Sequence, residues 1–167
     1  MANMNQKELE LLELLEKNGR LEVDTIAKLI DLTVEETTEM MEKLEKESAI
    51  LGYSTIIDWS KVLKYEDVTA MIDVKVTPVR GLGFDKIAER IYRYPEVKAV
   101  YLMSGAYDLS VSVEGKSMME ISRFVSEKLS TLDTVISTTT HFVLKKYKHD
   151  GVIFKDNDDD KRIVVSP

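Results

Sequence analysis

The spacing of apolar residues changes near residue 67, and this change constrains the fold more than any other feature of the sequence. Before it, apolar residues recur every three to four positions between polar breaks, which predicts short amphipathic helices. After it, alternating strand patterns and helical patterns follow one another. We therefore predict a helical segment joined to a mixed segment, and 167 residues are enough for two small domains.

Three helices are predicted in the first 50 residues. The first covers Gln6 to Lys17 and stops at Asn18-Gly19, and the second covers Val23 to Ile30, with Asp24 as a candidate N-cap. Thr33 with a glutamate three residues later is a capping-box signature, so the third helix is expected to begin there. Two short helices joined by a tight turn after an anchoring helix are the helix-turn-helix pattern.

A β-branched and aromatic stretch, ILGYSTIIDW at residues 50–59, follows the third helix. Its composition predicts a strand or wing. The following residues are polar and have no clear period, so 59–67 is assigned as a hinge or linker. The predicted helix-turn-helix domain is therefore residues 1–58, of the winged type.

From residue 68 the predicted order is strand, helix, strand, strand, helix, strand. This is the ferredoxin-like βαββαβ arrangement, with both helices on one face of an open sheet, and the fold class is α+β. We assign residues 68–149 to this domain and 150–167 to a C-terminal extension. In the extension, the acidic DNDDD divides two β-branched runs, VIF and RIVVSP, and the segment is either a solvated loop or an edge strand against a neighbouring subunit.

The sheet face without helices is expected to expose alternating apolar residues. A monomer does not normally tolerate such a surface, so we expect that face to pair with a second copy in an obligate dimer.

Residue composition narrows the chemistry available to the chain. Cysteine is absent, and His141 and His149 are the two histidines, so neither a metal site nor a cofactor is expected. The N-terminus lacks signal-peptide features, and no apolar run approaches the roughly 18 residues that cross a bilayer. We expect a cytoplasmic protein without a membrane partner.

The net charge of −7 is concentrated at the N-terminal end. Residues 1–60 contain six lysines or arginines against fourteen aspartates or glutamates. This is the reverse of the basic surface expected for a domain that neutralises DNA phosphates.

Three motifs, in this order and spacing, resemble the Lrp/AsnC family of feast/famine regulators. They are LLELLEKNGRLEVDTIAKLIDLTVEET at 11–37, LEKESAILGYSTIID at 44–58 and SGAYDLSVSVEG at 104–115. The resemblance extends from about Asn5 to about Tyr147. It implies an amino-acid-responsive DNA-binding transcription regulator with an effector-binding (RAM) domain, which forms homodimers that assemble into octamers.

In the family the effector lies between dimers, near the Gly-x-Tyr-Asp turn. An Asp108 carboxylate would attract an α-ammonium group, and backbone N–H groups of the turn would hold an α-carboxylate. Alternatively, Gly105 only supplies positive φ and Asp108 only caps the turn. Ala106 departs from the polar residue often found there. The implied effector-binding residues are Ser104, Gly105, Ala106, Tyr107, Asp108, Ser137 and Thr139.

The expected DNA-reading helix is strongly acidic, because residues 33–50 contain six glutamates and two lysines. Glu35 lies in the first turn, where a carboxylate stabilises the helix dipole by about 0.3 to 1 kcal/mol. Glutamate can also accept a hydrogen bond from cytosine N4. We expect weak single-site binding with a shallow salt dependence, offset by an oligomer that engages several half-sites. The candidate DNA contacts are Arg20, Lys28, Thr33, Glu35, Thr37, Glu39, Met40, Lys43 and Lys46.

Three further expectations concern individual residues. Ser48 stands where the family often has glycine, and a left-handed serine costs on the order of 1 kcal/mol, so helix three is expected to end differently. His141 is interpreted as a packed or surface histidine, and the pairs Met40-Met41 and Met118-Met119 as core filler.

We expect a protein that is not an enzyme. One alternative is a ligand-sensing and assembly module with weak or lost DNA binding. A remote alternative is a sirohaem-decarboxylase-like enzyme, which would need basic and histidine side chains that the chain largely lacks.

Overall fold

The computed structural model describes residues 5–62, 67–78 and 83–154, and the chain divides into two units, Met1–Ile56 and Ile57–Pro167. Residues 63–66 of the predicted linker lie outside the described residues. So do residues 155–167 of the extension, including DNDDD and RIVVSP.

The first unit contains the three predicted helices, α1 (Gln6–Lys17), α2 (Val23–Leu29) and α3 (Val34–Lys46). Their facing sides form a small apolar core of Leu11, Leu15, Ile26, Ile30 and Leu44. The expected N-cap at Asp24 is wrong: Glu22 is the N-cap of α2. Asp24 lies inside the first turn of α2.

Helix α3 ends at a serine with left-handed backbone conformation. Ser48 has φ 57°, its N–H donates to Glu45 O at 3.0 Å, and the Ala49 N–H donates to Leu44 O at 2.9 Å. These two bonds satisfy carbonyls at the helix end, as in a Schellman motif that normally uses glycine. The expectation that the helix ends differently is therefore wrong, because the chain accepts the strained serine.

Residues 51–58 form no strand within the described structure, so the predicted strand or wing is wrong. Side chains of 51–57 are exposed, and a short 3₁₀ turn, Trp59–Lys61, follows. Strand composition alone does not make a strand, because the backbone N–H and C=O groups need a neighbouring strand.

The second unit has the predicted α+β, ferredoxin-like order. The elements are β1 (Val68–Val76), α4 (Asp85–Tyr92), β2 (Val97–Leu102), β3 (Leu109–Gly115), α5 (Met118–Arg123) continued by a π-helical turn (Phe124–Leu129), β4 (Val135–Phe142), β5 (Lys148–His149) and β6 (Val152–Ile153). The four longer strands form an antiparallel sheet with strand order β2-β3-β1-β4. Strands β5 and β6 form a two-stranded hairpin, whose turn contains Asp150 at φ 43° and Gly151 at φ 81°.

One face of the sheet packs on the helices. Ile72, Val74 and Val111 on the central strands are fully buried, and Ile91 of α4 and Ile121 of α5 belong to the same core. This alternation of buried and outward residues is what the sequence predicts for β1 and β3.

The opposite face is mostly hydroxyl-bearing or charged, so the expectation of an apolar uncovered face is wrong. The strand register places Asp73 beside Ser110 on one side and Thr139 on the other, and Met71 beside Ser112 and His141. On β3, Ser110 and Ser112 alternate with the core residues Leu109, Val111 and Val113, and on β4 the outward Ser137 and Thr139 are exposed. Face-to-face pairing is therefore not required to hide apolar surface. By register, this face comprises Thr69, Met71, Asp73, Lys75, Ala99, Tyr101, Ser110, Ser112, Glu114, Ser137, Thr139 and His141.

Some of the remaining expectations about single residues are confirmed and others are wrong. His141 is an exposed surface residue whose Nε2 lies 3.1 Å from Asp73 Oδ2. Met40 and Met41 pack partly against the first core, as predicted. Met118 and Met119 are 53% and 65% exposed, so core filler is the wrong interpretation of that pair. Within the described ranges, no helix combines the length and the apolar character that spanning a bilayer requires.

Candidate functional site

The helix-turn-helix is built by the turn between α2 and α3. Asp31 has φ 55°, and the Leu32 N–H donates to Ala27 O at 2.9 Å, which reverses the chain at the end of α2. Thr33 then caps α3 as predicted: its Oγ1 accepts from the Glu36 N–H at 3.2 Å, and Glu36 Oε2 accepts from the Thr33 N–H at 2.9 Å. The capping box fixes the residue at which α3 begins.

Helix α3 has a clear inner and outer side. Thr37 and Leu44 are 0% and 1% exposed and define the inner side. Opposite them, at intervals of four, three and four residues, lies an outer stripe, which consists of Glu35, Glu39, Glu42 and Lys46. The surface that α3 offers to a major groove therefore carries three carboxylates and one ammonium group.

Three residues that were predicted to contact DNA instead make contacts within the first unit. Thr37 is removed from the candidate set, because its side chain is fully buried and its hydroxyl donates to Thr33 O at 2.8 Å. The Thr33 hydroxyl donates to Glu36 Oε2 at 2.9 Å. Met40 is partly buried against the apolar core. The exposed candidates are thus mostly charged side chains.

The lysines and arginines of this unit differ in their partners. Lys43 Nζ lies 2.7 Å from Glu8 Oε1, and Lys28 Nζ lies 3.5 Å from Asp24 Oδ2. Neither Arg20 nor Lys46 has an ion pair among the described residues. Two of the four predicted cations are thus neutralised locally, and the surface is even less basic than the sequence suggests.

The Glu8–Lys43 pair changes the pKa of both groups. The hydrogen bond from Lys43 makes the largest contribution to lowering the pKa of the Glu8 carboxyl, and the hydrogen bond from the backbone N–H of Asn5 lowers this pKa further. The same hydrogen bond raises the pKa of the Lys43 ammonium. Both groups are therefore charged at neutral pH.

The predicted effector turn connects β2 to β3. Gly105 has φ 153°, in a region that L-residues rarely adopt, and an added Cβ would meet nothing within 4 Å. The backbone conformation, not crowding, requires glycine here. Ser104 and Ala106 are exposed and Tyr107 is half-buried, so backbone and side chains of the turn are open to a ligand.

Asp108 anchors this turn to the end of β1. Its Oδ2 accepts from the Val76 N–H at 2.8 Å, and its own N–H donates to Val74 O at 3.1 Å. Ser137 and Thr139 pair with Lys75 and Asp73 on the other side of β1. The structure therefore gathers residues 104–108 in one loop and places the two β4 residues across the intervening strand.

A half-open cavity of about 300 Å³ in the second unit provides another polar recess. The Trp59 and Phe154 rings and the Asp58 and Lys146 side chains are among its lining groups. Its lining includes none of the turn residues 104–108, so it is a separate place in which a small molecule fits by size.

The Glu8–Lys43 and Asp108–Val76 contacts were not predicted from the sequence. Glu8 could be recognised as the N3 residue of a capping box with Asn5. Its partner on α3 is 35 residues away, and no local pattern indicates such a pair.

Comparisons with known proteins show a family model and a close relative that match this chain. Residues 69–153 match the family model of the Lrp/AsnC ligand binding domain. Over 164 residues the chain is 62% identical to YugG, a helix-turn-helix-type transcriptional regulator of Bacillus subtilis, and the match covers 98% of this chain and 99% of the relative.

Two solved structures share the fold. A transcriptional regulator of Neisseria meningitidis in complex with L-Met has a TM-score of 0.69 at 22% identity, covering 88% of this chain and 94% of that chain. Escherichia coli AsnC has a TM-score of 0.67 at 20% identity, covering 87% and 95%. The relatives are named as regulators, which agrees with a non-enzymatic protein and lends no support to the sirohaem-decarboxylase alternative.

Proposed function

The chain belongs to the Lrp/AsnC family of helix-turn-helix transcriptional regulators, and on that premise we propose how its two segments act. Residues 1–58 bind double-stranded DNA with α3 in the major groove. Residues 68–149 sense an amino acid and hold the oligomer together. The proposed DNA binding is supported mainly by helix α3. This helix begins at a capping box after a tight turn, and it has a continuous exposed stripe of side chains.

Few cations are available among the predicted DNA contacts of one subunit. In that set, Arg20 and Lys46 can bind phosphates without first breaking an ion pair among the described residues, and Lys28 is available after release from an exposed pair with Asp24. Glu35 and Glu39 lie where base edges would be read, and a carboxylate there selects cytosine through N4. Binding at one site is therefore weak and favours half-sites with cytosine at the contacted positions.

Oligomerisation compensates for weak single contacts. A homodimer that assembles to an octamer would place several copies of α3 on spaced half-sites, and each additional site raises the apparent affinity through effective concentration. The exposed segment 51–57 supports pairing with a second copy, because its composition favours a strand while its backbone has no strand partner among the described residues. Such a regulator acts in the cytoplasm, where the DNA is.

An amino acid is the proposed effector, bound at the turn of residues 104–108. The Neisseria meningitidis regulator with the same fold was solved with L-Met, which supports this ligand class. Backbone N–H groups beside Gly105 suit an α-carboxylate. Asp108 Oδ2 is held by Val76, so Oδ1 is the oxygen left for an α-ammonium group.

Two titrations of the full-length chain test the proposal. Fluorescence anisotropy on DNA from the chain's own promoter region, at several salt concentrations, should show weak binding that strengthens at low salt. A thermal-shift series over the twenty amino acids should show stabilisation by one or a few of them. If no binding is seen at low salt and high protein concentration, with and without amino acids, the proposed DNA binding is refuted.

The second candidate is a sensing and assembly module whose helix-turn-helix no longer reads DNA. The acidic outer stripe of α3 and the pairing of Lys43 with Glu8 favour it. An amino-acid-dependent thermal shift and a stable oligomer, together with no DNA binding, would decide for this candidate.

A further inference from the structure

Glu8 on α1 is buried with both carboxylate oxygens occupied. The residue is 6% exposed. Its Oε2 accepts from the Asn5 N–H at 2.8 Å, and its Oε1 accepts from Lys43 Nζ at 2.7 Å. A carboxylate withdrawn from water depends on such partners, because removing one leaves a buried charge without compensation.

Lys43 is the lysine at the other end of this contact, on α3. Its side chain is 53% exposed, so the ammonium group is reachable from solvent while it is bound to Glu8. Lys46, three residues later, lies on the outer stripe and has no ion pair among the described residues. The two lysines of α3 therefore differ in what a DNA phosphate would have to displace.

A phosphate that recruited Lys43 would have to take it from Glu8. Glu8, which is 6% exposed, would then lose the charged partner of its Oε1 oxygen. A phosphate that recruited Lys46 faces no such cost. The same carboxylate thus holds α3 against α1 and competes with DNA for a positive charge.

We propose that Glu8 is a positioning residue of the helix-turn-helix, which fixes α3 through Lys43 and withholds that lysine from the DNA backbone. The inference rests on the proposed function, because it assumes that α3 approaches DNA. The DNA affinity of this chain is then limited by the Glu8 carboxylate, and removing the charge of Glu8 strengthens DNA binding.

The test measures DNA affinity against salt for the full-length chain and four variants: Glu8→Gln, Lys43→Met, the double variant and Lys46→Met. Each phosphate contact contributes about −0.9 to the slope of log Kobs against log salt. Glu8→Gln should steepen the slope by about 0.9 per bound subunit, since the neutral amide releases Lys43. Lys43→Met should leave the slope unchanged, and the double variant should return to the wild-type slope. Lys46→Met, the matched control, should flatten the slope by about 0.9 per bound subunit.

A purely structural role of Glu8 changes the unfolding midpoint but not the salt slope, so the slope separates the two roles. A flatter slope for Lys43→Met would show that Lys43 already contacts phosphate and would overturn the inference. So would an unchanged slope for a folded Glu8→Gln variant. If Glu8→Gln does not fold, the Lys43→Met slope decides alone. If no protein, wild type or variant, binds DNA at the lowest salt, the proposed DNA binding fails together with the inference.

Discussion

Asp108 Oδ2 accepts a hydrogen bond from the backbone N–H of Val76 at 2.8 Å, across 32 residues of chain. The bond lies where the register between β1 and β4 shifts, between Lys75 and Val76. It supplies a partner for an N–H group at an irregular point of the ladder. Asp108 of the Gly-x-Tyr-Asp segment therefore has a structural role through Oδ2, and a ligand would bind to its Oδ1 oxygen.

Asp108→Asn separates these two roles. The asparagine oxygen can still accept from Val76, so the unfolding midpoint without ligand should be unchanged, while the charge that attracts an α-ammonium group is lost. A ligand at 100 times its dissociation constant stabilises the wild type by about 2.7 kcal/mol, and the variant should lose most of that shift. Thermal-shift titration with the best amino acid measures it. The exposed Asp133→Asn should keep the response. A full response in Asp108→Asn would exclude the carboxylate as a ligand group and direct attention to the cavity beside Trp59.

Ser48→Gly should stabilise the first unit. The serine adopts φ 57° at the end of α3, a conformation that glycine reaches without a Cβ penalty. The expected gain is about 0.5 to 1 kcal/mol, since glycine also has more freedom to lose on folding. Denaturant unfolding at fixed protein concentration measures the difference. Ser54→Gly, at an exposed serine without positive φ, should give no gain, and equal effects at both positions would contradict the explanation.

Thr33→Ala should weaken the start of α3. The change removes the side-chain acceptor of the Glu36 N–H and the donor to Glu36 Oε2, at a cost of about 1 kcal/mol. Thr33→Ser keeps both groups and should retain most of the stability. Circular dichroism during urea unfolding compares the two variants. Equal loss in both would indicate that the methyl group, not the hydroxyl, matters.

Acid should destabilise the wild type more steeply than Glu8→Gln. The hydrogen bond from Lys43 lowers the pKa of Glu8 in the folded chain below its unfolded value. The stabilisation is therefore present above the ordinary glutamate pKa and is lost as pH falls through the lowered folded value. Unfolding free energies measured from pH 7 to pH 3 should converge for the two proteins. The exposed Glu13→Gln should follow the wild type, and parallel curves for wild type and Glu8→Gln would be inconsistent with the pair.

The sequence predicted those elements whose signals are local. The ends of α1 and the capping box of α3 follow from short-range side-chain to backbone contacts, and the alternation along β3 follows from one buried face. The order of elements in the second unit then implied the ferredoxin-like sheet.

Non-local features could not be predicted in this way. Residues 51–57 have strand composition but no neighbouring strand in the described chain, and composition does not report on neighbours. Thr37 was assigned to DNA because it is polar, although its side chain is fully buried and its hydroxyl donates to Thr33 O in the preceding turn. The pairing of Lys43 with Glu8 and of Asp108 with Val76 depends on tertiary approach.

Wild-type DNA binding, measured at several salt concentrations, decides whether the first unit binds DNA through so few cations. With Arg20 and Lys46 as the available phosphate contacts, the slope of log Kobs against log salt should be about −2 per bound subunit, and Lys46→Met should halve it. A slope steeper than about −4 per subunit would contradict the account, because it would require more phosphate contacts than the four predicted cations supply. Absence of binding at the lowest salt would contradict it as well, and would leave the chain as a sensing module.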